Sequence, residues 1–472
     1  MLSDNINGSG MRTHLTSEDW SASALVAGIV MLALTLWPYP IPHPCVWGDL
    51  AVAAGLKPPS AEFPGLAPLL MHVMFDRLGA GGGLALNLVG AHLLAGVTAG
   101  LWCFVFRQLL EFAGRLDMAD HTWNRKICPA FSAAGALLVA FSEPVWTASQ
   151  SLSSAGVGLF LAAFAFAVLL RFIARGKKQL GVLAFLAFGL LGGDTPFGML
   201  LLLPVVVLLV LSWRMIDARD DIEPGVRLPP IEEFPWLMMV LAWAVGVGIT
   251  FAIADSSFRA AGGNPGEFGA MLDSWTRLLG KDTTLKGALI GAAVTFVPLA
   301  FMMAVFPRLT FPDVPRPILL RMACLLAGVI AAAQLSDVEA LRYRTWTQED
   351  EAVATSVLPG LFMVAAAAAA VLSAAAFAAM AWCHETRAPL FLVKLGRLLV
   401  AAVVIAAVVS AGYGRQCREV RQKLAKVDAH IVKTLEECKG RDVISSHGRL
   451  DVMLELRARS QGRKLTIVKD GE

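Results

Sequence analysis

Ser21-Ala22-Ser23-Ala24-Leu25-Val26-Ala27-Gly28-Ile29-Val30-Met31-Leu32-Ala33-Leu34-Thr35-Leu36-Trp37 carries no charged side chain, and Trp47-Gly48-Asp49-Leu50 follows shortly after it. A membrane crossing needs roughly 20 mostly apolar residues, with a range of about 17–25, so the first stretch reads as a membrane helix. It reads as a retained helix rather than a cleaved signal. Met1 to Trp20 is polar with acids among its charges, and no small-residue cleavage site follows the apolar run.

Ten further segments have the same character: Gly83–Phe106, Ala130–Phe141, Ala155–Leu170, Leu180–Leu191, Phe197–Trp213, Trp236–Ala254, Gly287–Phe306, Ile318–Leu335, Val357–Trp382 and Leu395–Gly412. The third and fifth of the eleven are short for a full crossing, so they are expected to tilt or to cross only in part. Pro64 to Met74 is apolar but too short to span, and is expected to lie in the interface or to re-enter. The expected fold class is therefore an all-α integral membrane protein, a multi-span helical bundle of about 10–11 transmembrane helices with a small polar C-terminal tail. The expected domains are a polar N-terminal segment over 1–20, a transmembrane domain over 21–413 and a tail over 414–472.

Composition agrees. Hydrophobic residues make up 56% of the chain and charged residues 16%, against about 25% charge in a soluble domain; mean hydropathy is +0.63. A net charge of +3 with no basic stripe excludes nucleic acid as a partner and leaves the lipid bilayer. The seven cysteines form no CxxC and no metal-ligand spacing. Walker, GxSxG and HExxH patterns are absent from the sequence, which excludes ATPases and soluble-type hydrolases.

Basic residues of short loops stay in the cytoplasm. An N-terminus inside the cell places Arg107, Arg115, Arg125 and Lys126, then Arg171, Arg175, Lys177 and Lys178, on the cytoplasmic side. The opposite side receives few. The tail repeats Val420, Leu424, Val427, Ile431 and Leu435 at helical spacing. Leu450–Leu456 is expected to be helical and Lys464–Lys469 to be a strand. Eleven spans put this tail outside, whereas its Arg415, Arg418, Arg421 and Lys423 favour the inside.

Charged groups at membrane depth or at a cavity mouth are expensive and mark functional candidates. Asp49 stands directly after the first span and fits a general base or a metal ligand. A helix N-cap explains it equally well. Glu62, in the Pro-rich turn Lys57–Gly65, is a second candidate acid. Asp194, in the tight turn Gly192-Gly193-Asp194-Thr195-Pro196, is a third, again with capping as the alternative. Glu143 beside Pro144 and Trp146 caps the third span on the same side. Arg342 and Arg344 in an outer loop suit a phosphate, and pairing with Asp337, Glu339, Glu349, Asp350 or Glu351 suits them as well.

Trp47-Gly48-Asp49, Ala53-Ala54-Gly55-Leu56, Pro58-Pro59, Pro64-Gly65 and Pro68-Leu69-Leu70 together resemble the opening block of a bacterial polytopic family. That family is known as domain of unknown function 2723 and is related to protein O-mannosyltransferases. Asn87–Leu94, Ala140–Trp146 and Gly189–Thr195 are similar to it in style. The resemblance covers Ser21 to Leu211 and implies a GT-C glycosyltransferase in a bacterial inner membrane. Such an enzyme takes a sugar from a polyprenyl-phosphate donor to an acceptor on the non-cytoplasmic side. Asp49 is the implied catalytic acid, and Glu62 and Asp194 are the further candidate catalytic acids read from the chain itself. Trp47, Glu143 and Trp146, with Arg342 and Arg344 from outside the matched stretch, are the candidate substrate-binding residues. No cofactor is implied beyond a divalent cation that the carboxylates could hold. The chain departs from the family where its second acid gives way to Val52, where Ser151, Ser153 and Ser154 replace an acid, and where Asp194-Thr195 replaces Asn-His. A lipid-linked substrate transporter and a non-catalytic scaffold stay open beside the enzyme.

Overall fold

A computed structural model describes residues 17–43, 46–56, 66–116, 128–141, 143–194, 234–260, 415–446 and 450–469, with single positions at 202, 205, 209 and 269. The expected spans Gly287–Phe306, Ile318–Leu335, Val357–Trp382 and Leu395–Gly412 lie outside the described residues, as does Phe197–Trp213 apart from three single positions, and so do Glu62, Arg342 and Arg344. What is described is mostly helical.

The helices are α1 (Ser17–Leu36), α2 (Trp47–Ala53), α3 (Leu66–Leu116), α4 (Cys128–Ala140), α5 (Glu143–Ala148), α6 (Ser154–Arg175), α7 (Lys178–Asp194) and α8 (Trp236–Ala260). Within α3, α6 and α8, the runs Leu66–Gln108, Gly156–Arg175 and Trp236–Ser256 are long and apolar enough to cross a membrane. The apolar part of α1, Ser21–Leu36, is shorter. The described part of the short apolar stretch, Leu66 to Met74, lies in a helix of its own that meets the next one at a kink. Leu66 opens α3, which bends at Gly79 (φ 68°, ψ −178°) into a short arm and a long one. That backbone conformation favours glycine, because a Cβ would meet the carbonyl. The short arm buries Ala67, Met71 and Phe75, spaced by four, and exposes Leu70, Val73 and Leu78. One face of it therefore packs inward while the other is apolar and open.

α1 runs antiparallel to the long arm of α3. Gly96 lies against Met31 and the Ala27 carbonyl, and a Cβ on Gly100 would stand 2.9 Å from the Ser23 oxygen. α4 has 13 residues, or about 20 Å of helix, well short of a hydrocarbon core of about 30 Å. The six residues of α5 follow it. Irregular backbone then leads to α6, whose first turn is capped by the Ser153 hydroxyl accepting from the Gly156 amide. Gly176 (φ 68°) closes the far end with its amide on the Phe172 carbonyl. α7 and α8 approach backbone to backbone. Cβ atoms at Gly189 and Gly246 would fall on the Trp243 and Leu186 carbonyl oxygens respectively. Small residues permit such contact between apolar helices.

The tail is not purely helical. Its elements are α9 (Arg415–Glu437), β1 (Val443–Ser446), α10 (Asp451–Ser460) and β2 (Thr466–Lys469). The strands pair in parallel, with Val443 opposite Thr466 and Ser446 opposite Lys469. β2 falls where a strand was expected, whereas β1 was not anticipated. The helical stripe of α9 is buried at Val420, Leu424, Ile431 and Leu435.

Candidate functional site

α2 carries the backbone of Asp49, and its surroundings are fixed from both ends. At the entry, Val46 donates its amide to the His43 carbonyl at 3.0 Å. The Trp47 indole N–H donates to the Pro42 carbonyl at 2.9 Å. Trp47 is buried, as are Leu50, Ala51 and Ala53. At the exit the Leu56 amide reaches the Ala51 carbonyl at 2.8 Å and the Gly55 amide the Val52 carbonyl at 3.1 Å. This is a Schellman closure around Gly55 (φ 66°).

The N-cap alternative for Asp49 does not hold. The helix begins at Trp47 with Val46 as its cap residue, which puts Asp49 in the third helical position. An acid there still complements the helix dipole. The side chains of Asp49 and Glu143 lie outside what the structure describes; Glu143 opens α5.

Asp194 is the last residue of α7 and is buried. Its Oδ1 accepts the Leu66 amide at 2.6 Å across 128 residues. It therefore does cap a helix, but the helix is α3, far away in sequence. The His72 imidazole Nδ1 sits 3.0 Å from the Ala53 carbonyl and ties α2 to the short arm of α3. His72 is exposed, so this bond and not burial fixes its ring. Through these two contacts the exit of α2 and the carboxylate of Asp194 both attach to the short arm of α3. Trp146 is buried with its ring stacked on Phe141, centroids 5.5 Å apart.

A second polar group was not anticipated. Gln150 Oε1 accepts the Tyr39 amide at 2.9 Å, and the Tyr39 and Thr147 hydroxyl oxygens are 3.4 Å apart. Asn87 Oδ1 accepts the Leu152 amide at 3.1 Å. His92 is buried and meets Gln150. These side chains satisfy irregular backbone enclosed by helices, which apolar surroundings would otherwise leave at high cost. Their sequence signal was polarity within apolar runs, at Asn87 and His92 above all. Beside them runs a narrow crevice lined by Ala91, Thr98, Trp102, Ser149 and Ser151, with about 20 Å³ open to the centre of a water. That is room for a water or two.

Burial holds the His43 imidazole down at about 4 from its ordinary 6.5, because a charged ring loses hydration there. It stands in the connection that leads from α1 to α2. At the other end of the helices Arg171 lies over the Phe104 ring, 4.9 Å from its centroid. Arg107 is fully enclosed. Among the described residues no three His, Cys, Asp or Glu side chains gather as a metal site. No family model matches this chain, and no curated protein matches it.

Proposed function

We propose that this chain is a GT-C-type glycosyltransferase, a multi-span helical bundle in the bacterial inner membrane with its N-terminus in the cytoplasm. It transfers a sugar from a polyprenyl-phosphate donor to an acceptor hydroxyl on the non-cytoplasmic side. The observation that carries this reading is the bond between Asp194 Oδ1 and the Leu66 amide. It attaches one candidate acid to the short arm of α3, the same arm that His72 joins to the exit of the Asp49 helix.

In this mechanism Asp49 removes the acceptor hydroxyl proton as the oxygen attacks the anomeric carbon. The bond from that carbon to the phosphate oxygen breaks, and the phosphate leaves with the electron pair. Arg342 and Arg344 hold the leaving phosphate with forked donors. Glu62 and Asp194 assist Asp49, and these carboxylates are the groups that would hold a divalent cation, which would polarise the donor phosphate. Trp47, Glu143 and Trp146 border the sugar.

A non-catalytic scaffold is the second reading, and a specific observation favours it. Asp194 is committed to a helix terminus, and the Trp47 and Trp146 rings are packed rather than open.

The test is transfer of labelled sugar in membranes from a panel of polyprenyl-phosphate donors, comparing wild type with Asp49→Asn. Transfer that disappears in the variant, with the protein still inserted and folded, supports the enzyme. Equal transfer in both removes Asp49 from the mechanism. Silence from wild type across the whole panel favours the scaffold.

A further inference from the structure

Two physical rules disagree about the C-terminal unit. Arg418, Arg421 and Lys423 stand in the first turns of α9, and basic residues beside a membrane helix favour the cytoplasmic face. Packing says the opposite. α10 touches both α2 and α3. Arg459 Nη1 donates to the Ala54 carbonyl at 3.4 Å, just past the end of α2. An ideal Cβ on Gly81 would stand 3.7 Å from the Ser460 Cβ. Met453, Leu454, Leu456 and Ala458 of α10 are buried in the same apolar cluster as Leu50 and Met71.

Ala54 and Gly81 mark one end of the helices, and the antiparallel pairing of α1 with α3 identifies which. Gly100 meets Ser23 and Gly96 meets Met31, so the beginning of the long arm, at Gly81, lies beyond the Leu36 end of α1. The tail is thus at the opposite end of α1 from Ser17. The apolar part of α1, Ser21–Leu36, is about 24 Å long, most of the thickness of a hydrocarbon core of about 30 Å, and Trp37 to Tyr39 continue the chain in the same direction as the tail.

We propose that the C-terminal unit, residues 415–469, is a non-cytoplasmic cap. It is docked on α2 and on the bend of α3, on the membrane face opposite the N-terminus. The chain accordingly crosses the membrane an odd number of times between Ser17 and Arg415. α2, α3 and α10 touch pairwise, so the helix that bears Asp49 has the tail for a neighbour. The inference takes from the proposed function only the cytoplasmic N-terminus; it is independent of sugar transfer and survives the failure of that activity.

Two measurements on the full chain in membranes test it. Cys438 is a free, half-buried thiol in the tail. A membrane-impermeant maleimide added to intact cells is expected to label its peptide as fully as it does in permeabilised cells. Lys439→Cys, at an exposed position, is read in the same way in case the Cys438 thiol reacts slowly. Labelling of the Lys439→Cys thiol only after permeabilisation overturns the assignment of the face.

The docking itself is read with the double variant Gly81→Cys, Ser460→Cys. A Cβ separation of 3.7 Å lies within the range of about 3.5–4.5 Å seen in disulfides. Mild oxidation is expected to join the two peptides within one chain, as seen by mass spectrometry. Two alkylatable thiols that never cross-link overturn the docking, whichever face the tail occupies.

Discussion

The pair α7–α8 and the junction of α2 with α3 hold together by opposite means. Along α7–α8 glycines bring the helix backbones into contact, and Thr250 adds a hydroxyl bond to the Leu190 carbonyl at 3.1 Å. At the junction His72 reaches the Ala53 carbonyl, and around it side chains reach across long stretches of chain to single backbone groups: Asp194 to Leu66, Gln150 to Tyr39, Asn87 to Leu152. Contact area carries the first, so a change of volume breaks it. Individual hydrogen bonds carry the second, so the loss of one acceptor shifts a loop while leaving the bundle intact. Stability is concentrated in one region and the placement of the candidate site in the other.

The largest expected effect belongs to the glycine contact. Gly189→Val drives a branched side chain onto the Trp243 backbone, which cannot yield as a flexible side chain does. Unfolding in detergent is expected to show a loss of about 3 kcal/mol, the upper end of the usual range for overpacking. Gly248→Ala on α8 is the control, since nothing lies within 4 Å of its added carbon. It should be neutral or stabilise by up to about 1 kcal/mol. Equal losses in the two variants would mean that α7 and α8 are not packed through these glycines.

At the junction, acid is the sharper tool. His43 is buried with its imidazole held down at about 4 rather than 6.5. The unfolded chain therefore binds a proton that the folded chain refuses between those values. His43 contributes no penalty above pH 6.5, and stability falls as the pH drops through the window towards 4. The full loss below it is roughly 3 kcal/mol at about 1.4 kcal/mol per pH unit. Melting temperatures of wild type and His43→Phe should diverge from pH 7 to pH 4, with wild type the more acid-sensitive. Parallel curves would show that the connection from α1 to α2 is not closed around His43.

Asp194 tests whether a residue of the junction has a chemical role beyond holding it. Asp194→Leu removes the acceptor of the Leu66 amide and should cost about 1–2 kcal/mol, the usual range for a lost helix cap. Asp194→Asn keeps an oxygen in place and should cost a fraction of that. If Asn preserves stability but abolishes sugar transfer, the carboxylate takes part in the chemistry. Preservation of both makes Asp194 a cap alone.

The apolar helices were legible because a continuous run of hydrocarbon side chains has few other uses in a chain of this composition. The bend in α3 was only half legible. Pro64 to Met74 was plainly too short to span, but nothing local indicated that it continues through Gly79 into the next helix. Asp49 read as a cap because acids before apolar runs usually are; the helix instead begins at Trp47, whose indole anchors it to Pro42. The Asp194–Leu66 bond could not be read at all. Capping signals operate within a few residues, and this one spans 128. β1, four residues from Val443 to Ser446, is too short to display an alternation, and it exists because β2 lies beside it.

The smallest effect concerns the tail and separates its polar contact from its apolar one. The Arg459 guanidinium donates to the Ala54 carbonyl at 3.4 Å and pairs with Glu455 at 2.9 Å, on a side chain that is 43% exposed. Long, exposed contacts of this kind are worth from nothing to about 1 kcal/mol. The buried residues Leu454 and Leu456 of α10 make no use of the charge. Arg459→Ala in the Gly81→Cys, Ser460→Cys background should therefore cross-link nearly as fast as the parent, with a melting temperature shifted by no more than a degree or two. A cross-linking rate that collapses would assign the docking to the guanidinium. The tail would then resemble the α2–α3 junction, held by single bonds, rather than the packed pair α7–α8.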